Sequence, residues 1–412
     1  MKTTLFSFLI LLLLGLQSFA QDYISSMQQG KMFYNNQNYI LAIENFDQAF
    51  ESASSQMNKD DAKLWKSNSL KSLKKLQKEL EQKIKANETE LKYSKSLIDA
   101  FYFYDGKIAL AFKDEKYGFI DKRGRIIIDY KYDQASNFDA ITGFAKVSMN
   151  KINFLIDSTG REYPLAETTQ ALTGEVEALD LSKSQLNSLP KDIFNYPKLK
   201  VLIFSNNNIA VLPPEIARLK ELKYLDATGN KLLTIPKEIG GLTNLKFISF
   251  RDNSISKLPN EIANLQMLEK LDLTNNQIFN LPDGLASLYD LKVLILDGNK
   301  IKKLSPDIGL LINLKNLSIQ RNQLDALPIE ISRLSRLQIL CLSDNKIADL
   351  PPEIGRLMSL VNFNLSRNQL SYLPNEIKQL TQLKYFDIRG NSLSVQKKDL
   401  IKSWLPVCEI KL

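Results

Sequence analysis

Few side chains in this 412-residue sequence are able to do covalent or metal chemistry. There is no histidine, so imidazole serves neither as a general base nor as a metal ligand. The two cysteines, Cys341 and Cys408, are the whole thiol supply. Neither has a zinc-type spacing or a histidine to activate it. No glycine-rich phosphate loop and no G-x-S-x-G elbow occur. What the sequence does supply is amide. Asn207 recurs at a stride of 23 as Asn230, Asn253, Asn276, Asn299, Asn322, Asn345, Asn368 and Asn391. An asparagine side chain both donates and accepts. Nine of them on one period can pair with backbone groups that would otherwise be buried unsatisfied. This chemistry is structural. The sequence therefore points to no catalysis, no metal and no cofactor.

The elements that hold these amides follow from their frame. Each asparagine sits in L-x-x-L-x-L-x-x-N-x-L, as in Leu268, Leu271, Leu273, Asn276 and Ile278. One stride earlier, Val176, Leu179, Leu181, Ser184 and Leu186 keep the frame without the asparagine, which makes ten turns. The frame resembles the leucine-rich repeat (LRR). The resemblance implies an α/β fold: a right-handed LRR solenoid of about ten coils with a parallel concave sheet and short convex helices. In each coil L-x-L forms a short strand with leucines inward and the intervening residue on the concave face. The convex segment reads L-P-x-E-I-x-x-L, as in Leu212, Pro213, Glu215, Ile216 and Leu219. Proline recurs at 190, 213, 236, 259, 282, 328, 351 and 374, and only Ser305 breaks the series. Proline suits the first turn of a helix, and glutamate there suits its dipole. This form resembles the Ras-suppressor-like LRR class, which is also common in bacterial LRR proteins. Cys341 and Cys408 lie about three coils apart, beyond disulfide reach, and are expected as free thiols.

Binding residues are expected on the concave columns. Val201, Ile203, Tyr224 and Phe247 form one apolar patch on adjacent strands, and Val293 with Ile295 a second. Exposed apolar patches mark interaction sites, and aromatics are frequent anchors. Asp226, Arg251, Lys270 and Asp272 supply polar groups beside them. The alternative is that strand faces simply tolerate β-branched and aromatic residues, or that the same chain covers them. Asp226 and Asp272, two coils and roughly 10 Å apart, are too wide for a retaining glycosidase pair.

The first 174 residues divide by composition. Residues 1–20 carry Lys2, an apolar run from Leu5 to Leu16 and a Ser18-Phe19-Ala20 cleavage site, the pattern of an export signal. The apolar run is short of the ~20 residues a membrane helix needs. Residues 21–99 read as helical. Gly30, Phe33, Ala42, Phe46 and Ala49 have the spacing of one tetratricopeptide (TPR) repeat, although an ordinary helical hairpin fits as well. A long helix follows from Asp60 to about Leu97, with Leu73, Leu76, Leu80, Ile84 and Leu91 on one stripe and many lysines elsewhere. That stripe packs on the hairpin or pairs two chains as a homodimer. The basic face is also a candidate for membrane contact, which interspersed glutamates weaken. Residues 100–166 turn aromatic and β-branched. Ile120-Asp121-Lys122-Arg123-Gly124-Arg125 recurs 36 residues on as Ile156-Asp157-Ser158-Thr159-Gly160-Arg161. With Tyr117-Gly118 and Lys131-Tyr132-Asp133, this resembles the WG β repeat. It implies a small antiparallel β domain in which Asp121 and Asp157 form turns. Residues 167–174 form a polar linker, 175–395 the repeats, and 396–412 a C-terminal cap.

A net charge of +8 on this length favours solubility over nucleic-acid binding. Few cysteines fit a bacterial exported protein better than a small disulfide-rich one. The expectation is an exported, non-enzymatic scaffold, periplasmic or extracellular, that binds another protein on the concave face. Two alternatives accompany it: an adhesin or glycan-binding surface protein, and an intracellular-type LRR signalling adaptor if the signal is not cleaved.

Overall fold

The computed structural model describes residues 56–86, 103–104, 107–139 and 142–412, together with Met27, Lys31, Ala42 and Ala49. The export signal, Gly30, Phe33, Phe46 and Leu91 lie outside the described residues, as do the side chains of Leu76, Leu80 and Ile84. The chain forms two compact units, Met1–Pro164 and Leu165–Leu412.

In the first unit, helix α1 (Gln56–Ala86) runs 31 residues without proline or glycine. Its Leu73 is fully buried in a cluster with Ile108, Leu110, Phe112 and Phe119. Those residues come from an antiparallel sheet of four strands, β1 (Phe103–Tyr104), β2 (Ile108–Lys113), β3 (Lys116–Asp121) and β4 (Ile126–Tyr132), in that order. A second antiparallel meander follows: β5 (Gln134–Ala135), β6 (Phe144–Met149), β7 (Ile152–Asp157) and β8 (Glu162–Ala166). The two recurring D-x-x-G segments make the same turn. Gly124 N donates to Asp121 O, and Gly160 N to Asp157 O, both at 2.9 Å. The Asp121 carboxylate accepts from the backbone of Arg123 and Arg125, and Asp157 from Thr159 and Arg161. Gly118 is fixed by close approach: a Cβ there would lie 2.7 Å from Ile128 O, where the β3–β4 register shifts. Phe154, its counterpart 36 residues on, pairs regularly with Pro164.

In the second unit Leu165 and Ala166 pair in parallel with Ala178 and Leu179. Ten three-residue strands then stack in register, β9 to β18: Ala178–Asp180, Val201–Ile203, Tyr224–Asp226, Phe247–Ser249, Lys270–Asp272, Val293–Ile295, Asn316–Ser318, Ile339–Cys341, Asn362–Asn364 and Tyr385–Asp387. We number the coils 1 to 10 by these strands. The central residue of every strand, from Leu179 to Phe386, is fully buried in one continuous core. The convex segments of coils 1 to 9 are 3₁₀ turns of five residues, such as Pro214–Arg218. Here the proline differs from its expected place. It is the extended residue just before the turn, and its carbonyl accepts the first hydrogen bond, as Pro213 O does from Ile216 N at 3.1 Å. Ser305 replaces it with a hydroxyl that accepts from Asp307 N.

Helix α2 (Val395–Trp404), capped by Ser394, and β19 (Glu409–Lys411) close the far end. Ile401 and Leu405 are buried, whereas Leu400, expected on the apolar face, is half exposed. The last strand starts two residues later than the expected Val407, which is 86% exposed.

Candidate functional site: the inner face of the parallel sheet

The asparagine stride shapes the edge of this face. Asn276 Nδ2 donates to Phe250 O in the preceding coil at 2.9 Å and to Leu273 O in its own at 3.1 Å. Its Oδ1 accepts from Ile255 N at 2.9 Å. The same set recurs from Asn207, bound to Leu181 O, Phe204 O and Leu186 N, through Asn391, bound to Leu365 O, Ile388 O and Leu370 N. Asn230, Asn253, Asn299, Asn345 and Asn368 repeat it in between, and Asn322 binds Leu296 O of the preceding coil and Gln320 O of its own. These amides are spent on the backbone.

The residue before each ladder position has a positive φ in all ten coils, reading Lys183, Asn206, Gly229, Asp252, Asn275, Gly298, Arg321, Asp344, Arg367 and Gly390. Left-handed backbone favours Gly, Asn and Asp, the types found at seven of these positions. The turn is thus legible in the sequence as a column of Gly, Asn and Asp one residue before the ladder.

The structure brings together Tyr224, Phe247 and Lys270 from adjacent coils. The two rings stack at 5.2 Å with 19° between their planes, and Lys270 Nζ lies 5.0 Å from the Phe247 centroid. Accessibility differs from the expected open patch. Val201, Ile203 and Phe247 are only 0%, 7% and 4% exposed, and Asp226 and Asp272 are equally enclosed. Phe247 has an aromatic ring on one side and an ammonium on the other, which removes it from surface. The two aspartates are committed locally. Asp226 Oδ1 accepts from Thr228 N and Oγ1, and Asp272 Oδ1 from Thr274 N and Oγ1. Thr228 Oγ1 also meets Ser249 Oγ at 2.8 Å, linking coils 3 and 4. Tyr224, Arg251, Lys270, Val293 and Ile295 remain partly exposed.

Coils 6 to 10 contribute further inner-face residues that the short candidate set leaves out. Ile339, Asn316, Asn362 and Tyr385 are partly exposed and align with Val293 in register. Cys341 stands beside Ile339. Burial, then the charge of Asp297, pushes its thiol up to about 11, so it is protonated at neutral pH and is no nucleophile. Along the edge, Glu269 bridges Lys246 and Lys292 at 3.4 and 2.5 Å. Burial raises its carboxyl, but the two ammoniums outweigh that and hold it below the ordinary glutamate value. Among the described residues no group of three Cys, Asp or Glu side chains is placed to hold a metal ion, and no helix is long and apolar enough to cross a membrane.

Comparison with known proteins identifies the repeats that build this sheet. Residues 234–310 and 302–403 match the family model described as leucine-rich repeat region, and residues 175–232 match leucine rich repeat. Residues 117–151 match the WG containing repeat. A search of curated proteins finds no match. Among solved structures, the chain is similar to a TDR receptor at 30% identity, covering 54% of this chain and 40% of that one with a TM-score of 0.51. It is also similar to the functional domain of InlJ from Listeria monocytogenes, at 25% identity, 57% and 48% coverage, and a TM-score of 0.50. An LRR protein of Leptospira interrogans matches at 28% identity over 58% of this chain and 84% of that one, with a TM-score of 0.28. The chain thus spans less than half the length of the receptor and of the InlJ domain.

Proposed function

Because the chain is a leucine-rich repeat protein that also carries a WG repeat, we propose that it is an exported, non-enzymatic scaffold that captures another protein on the concave face of its sheet. One observation carries this reading. Val293, Ile295 and Ile339 are apolar and partly exposed on in-register strands, and they take no part in the core beneath them. Apolar side chains held at fixed spacing on a rigid sheet are the ingredients of an interaction surface. Tyr224 and Lys270 extend it with a stacked aromatic and a cation. The repeat likeness to a receptor supports the same reading. Export rests on residues 1–20, and an intact mass beginning at Gln21 after expression with the signal checks it.

The decisive experiment is affinity capture from a cell-envelope fraction on the immobilised full chain. Tyr224→Ala combined with Ile295→Lys is expected to abolish capture with the melting curve preserved. An unchanged set of captured proteins would remove the concave face from the function.

A further inference from the structure

We infer that the flank of coils 2 to 6, where the chain leaves the inner sheet, docks on a lipid surface carrying anionic headgroups. The flank is built from the residues that follow each ladder asparagine. The first, third and fourth of these lie at the surface, and the second is buried, as Ile209, Leu232, Ile255, Ile278 and Ile301. Backbone bonds lock the segments in register. Lys231 N donates to Ile209 O at 2.9 Å, Ser254 N to Leu232 O at 3.0 Å, and Gln277 N to Ile255 O and Lys300 N to Ile278 O at 2.8 Å. The outward side chains therefore stand on a fixed grid, one row per coil at about 4.8 Å.

The charge on this grid has one sign. Lys231, Lys257, Lys300, Lys302 and Lys303 are exposed there, and none of the outward positions is Asp or Glu. Lysines just before the strands are neutralised, as Lys246 and Lys292 are by Glu269, whereas no carboxylate among the described residues bridges these five. Asp252, in the adjoining column, is held by Arg251 and Asn275. The pattern stops at coils 7 and 8, where Asp325 and Asp349 enter the same columns. Among the lysines project Val211, Leu233 and Phe279, which are 66%, 60% and 50% exposed.

Charge and apolar tips together select the partner. An ammonium held near an anionic bilayer strengthens binding about fivefold. An apolar tip beside it enters the boundary between headgroups and acyl chains, and the two effects add. Ser256 stands between Leu233 and Phe279 in the same column, so the tips do not merge into the continuous apolar centre that a protein partner packs against. The grid has no arginine and one aromatic ring, which leaves a nucleic acid without a series of stacking platforms. Separate tips among unpaired lysines suit a fluid surface whose anionic groups and chains rearrange around each of them. The inner face takes no part in this docking.

The test sediments the full chain with vesicles of phosphatidylcholine containing one quarter phosphatidylglycerol, and with vesicles of phosphatidylcholine alone. Binding is expected to the first only. It should weaken about tenfold or more as ionic strength rises from about 0.1 M to about 1 M, because the screening length falls from about 10 Å to about 3 Å. Lys300→Gln with Lys302→Gln and Lys303→Gln should lower the partition about a hundredfold, since each lysine contributes about fivefold. Leu233→Ser with Phe279→Ser should lower it about tenfold. Melting curves of both variants should match the parent, because every substituted residue is exposed. Helix α1 has exposed lysines of its own, so Lys63→Gln with Lys71→Gln and Lys75→Gln is the control and should leave the partition unchanged. A loss in that control, or indifference to either flank variant, overturns the inference. So does a failure to bind the anionic vesicles, including the case in which the same lysines hold heparin or duplex DNA instead.

Discussion

At the scale of single residues, the same amino acid stands in two settings in this solenoid, and hydrogen-bond accounting separates them. A ladder asparagine joins two carbonyls and one N–H that face the interior between coils. Glutamine is too long for this and aspartate has no N–H to give. Asn276→Ala leaves Ile255 N–H without its acceptor in a position 2% exposed, and is expected to cost about 2–3 kcal/mol. Asn391, partly exposed at the last coil, makes the corresponding bonds where water can replace them. Asn391→Ala should therefore cost clearly less. Urea denaturation of the two variants tests the ladder by their difference, and equal losses would contradict it. Asn316 and Asn362 lie outside this accounting. Their strand position gives their column in the sequence, but nothing in the sequence says that the solenoid leaves an acceptor of each unpaired.

At the scale of elements, the strands were readable because leucine alternation reports directly which side faces the core. Ten strands stand where the L-x-L segments are. The convex segment was readable as helical but not as 3₁₀. Five residues hold too little of any period to separate three residues per turn from 3.6. Accessibility along the inner face was less readable still. Periodicity gives the face of Phe247, but its enclosure comes from Tyr224 and Lys270, each a full coil away. The tight 3₁₀ turns have a consequence for glycine. A Cβ on Gly309 would lie 2.4 Å from Glu330 O, a backbone atom of the next turn that cannot swing aside. Gly309→Ala should push the turns at 306–310 and 329–333 apart and cost about 1–3 kcal/mol. A Cβ on Gly241 would meet only the flexible end of Lys220, at 3.1 Å, and Ala217 Cβ in ordinary contact at 3.6 Å, so Gly241→Ala is expected to be nearly neutral. Thermal melts of this pair test whether backbone approach, rather than glycine itself, limits the convex side.

At the scale of the whole repeat unit, a stack of coils is nearly one-dimensional, so each coil is stabilised chiefly by its neighbours and the ends are exposed. The far end is closed by α2 and β19. Ile401 and Leu405 bury against the core, and β19 pairs with the strand Tyr385–Asp387. Two backbone bonds join them there, Glu409 N to Lys384 O and Ile388 N to Lys411 O, both at 2.9 Å. Removing residues 395–412 would strip that cover from coil 10, where Phe386 and Ile388 are now almost fully enclosed. In a one-dimensional stack the damage should decay along the array rather than spread evenly. Hydrogen exchange on the truncated chain is expected to lose protection at Tyr385–Asp387 first and at Asn362–Asn364 next. Coil 5, around Leu271 and Asn276, should retain the full-length protection. Dye binding to exposed apolar surface should rise in parallel. A uniform loss across all coils would mean that the solenoid folds as one cooperative block. The last strand would then serve the whole array and not only its terminal coil.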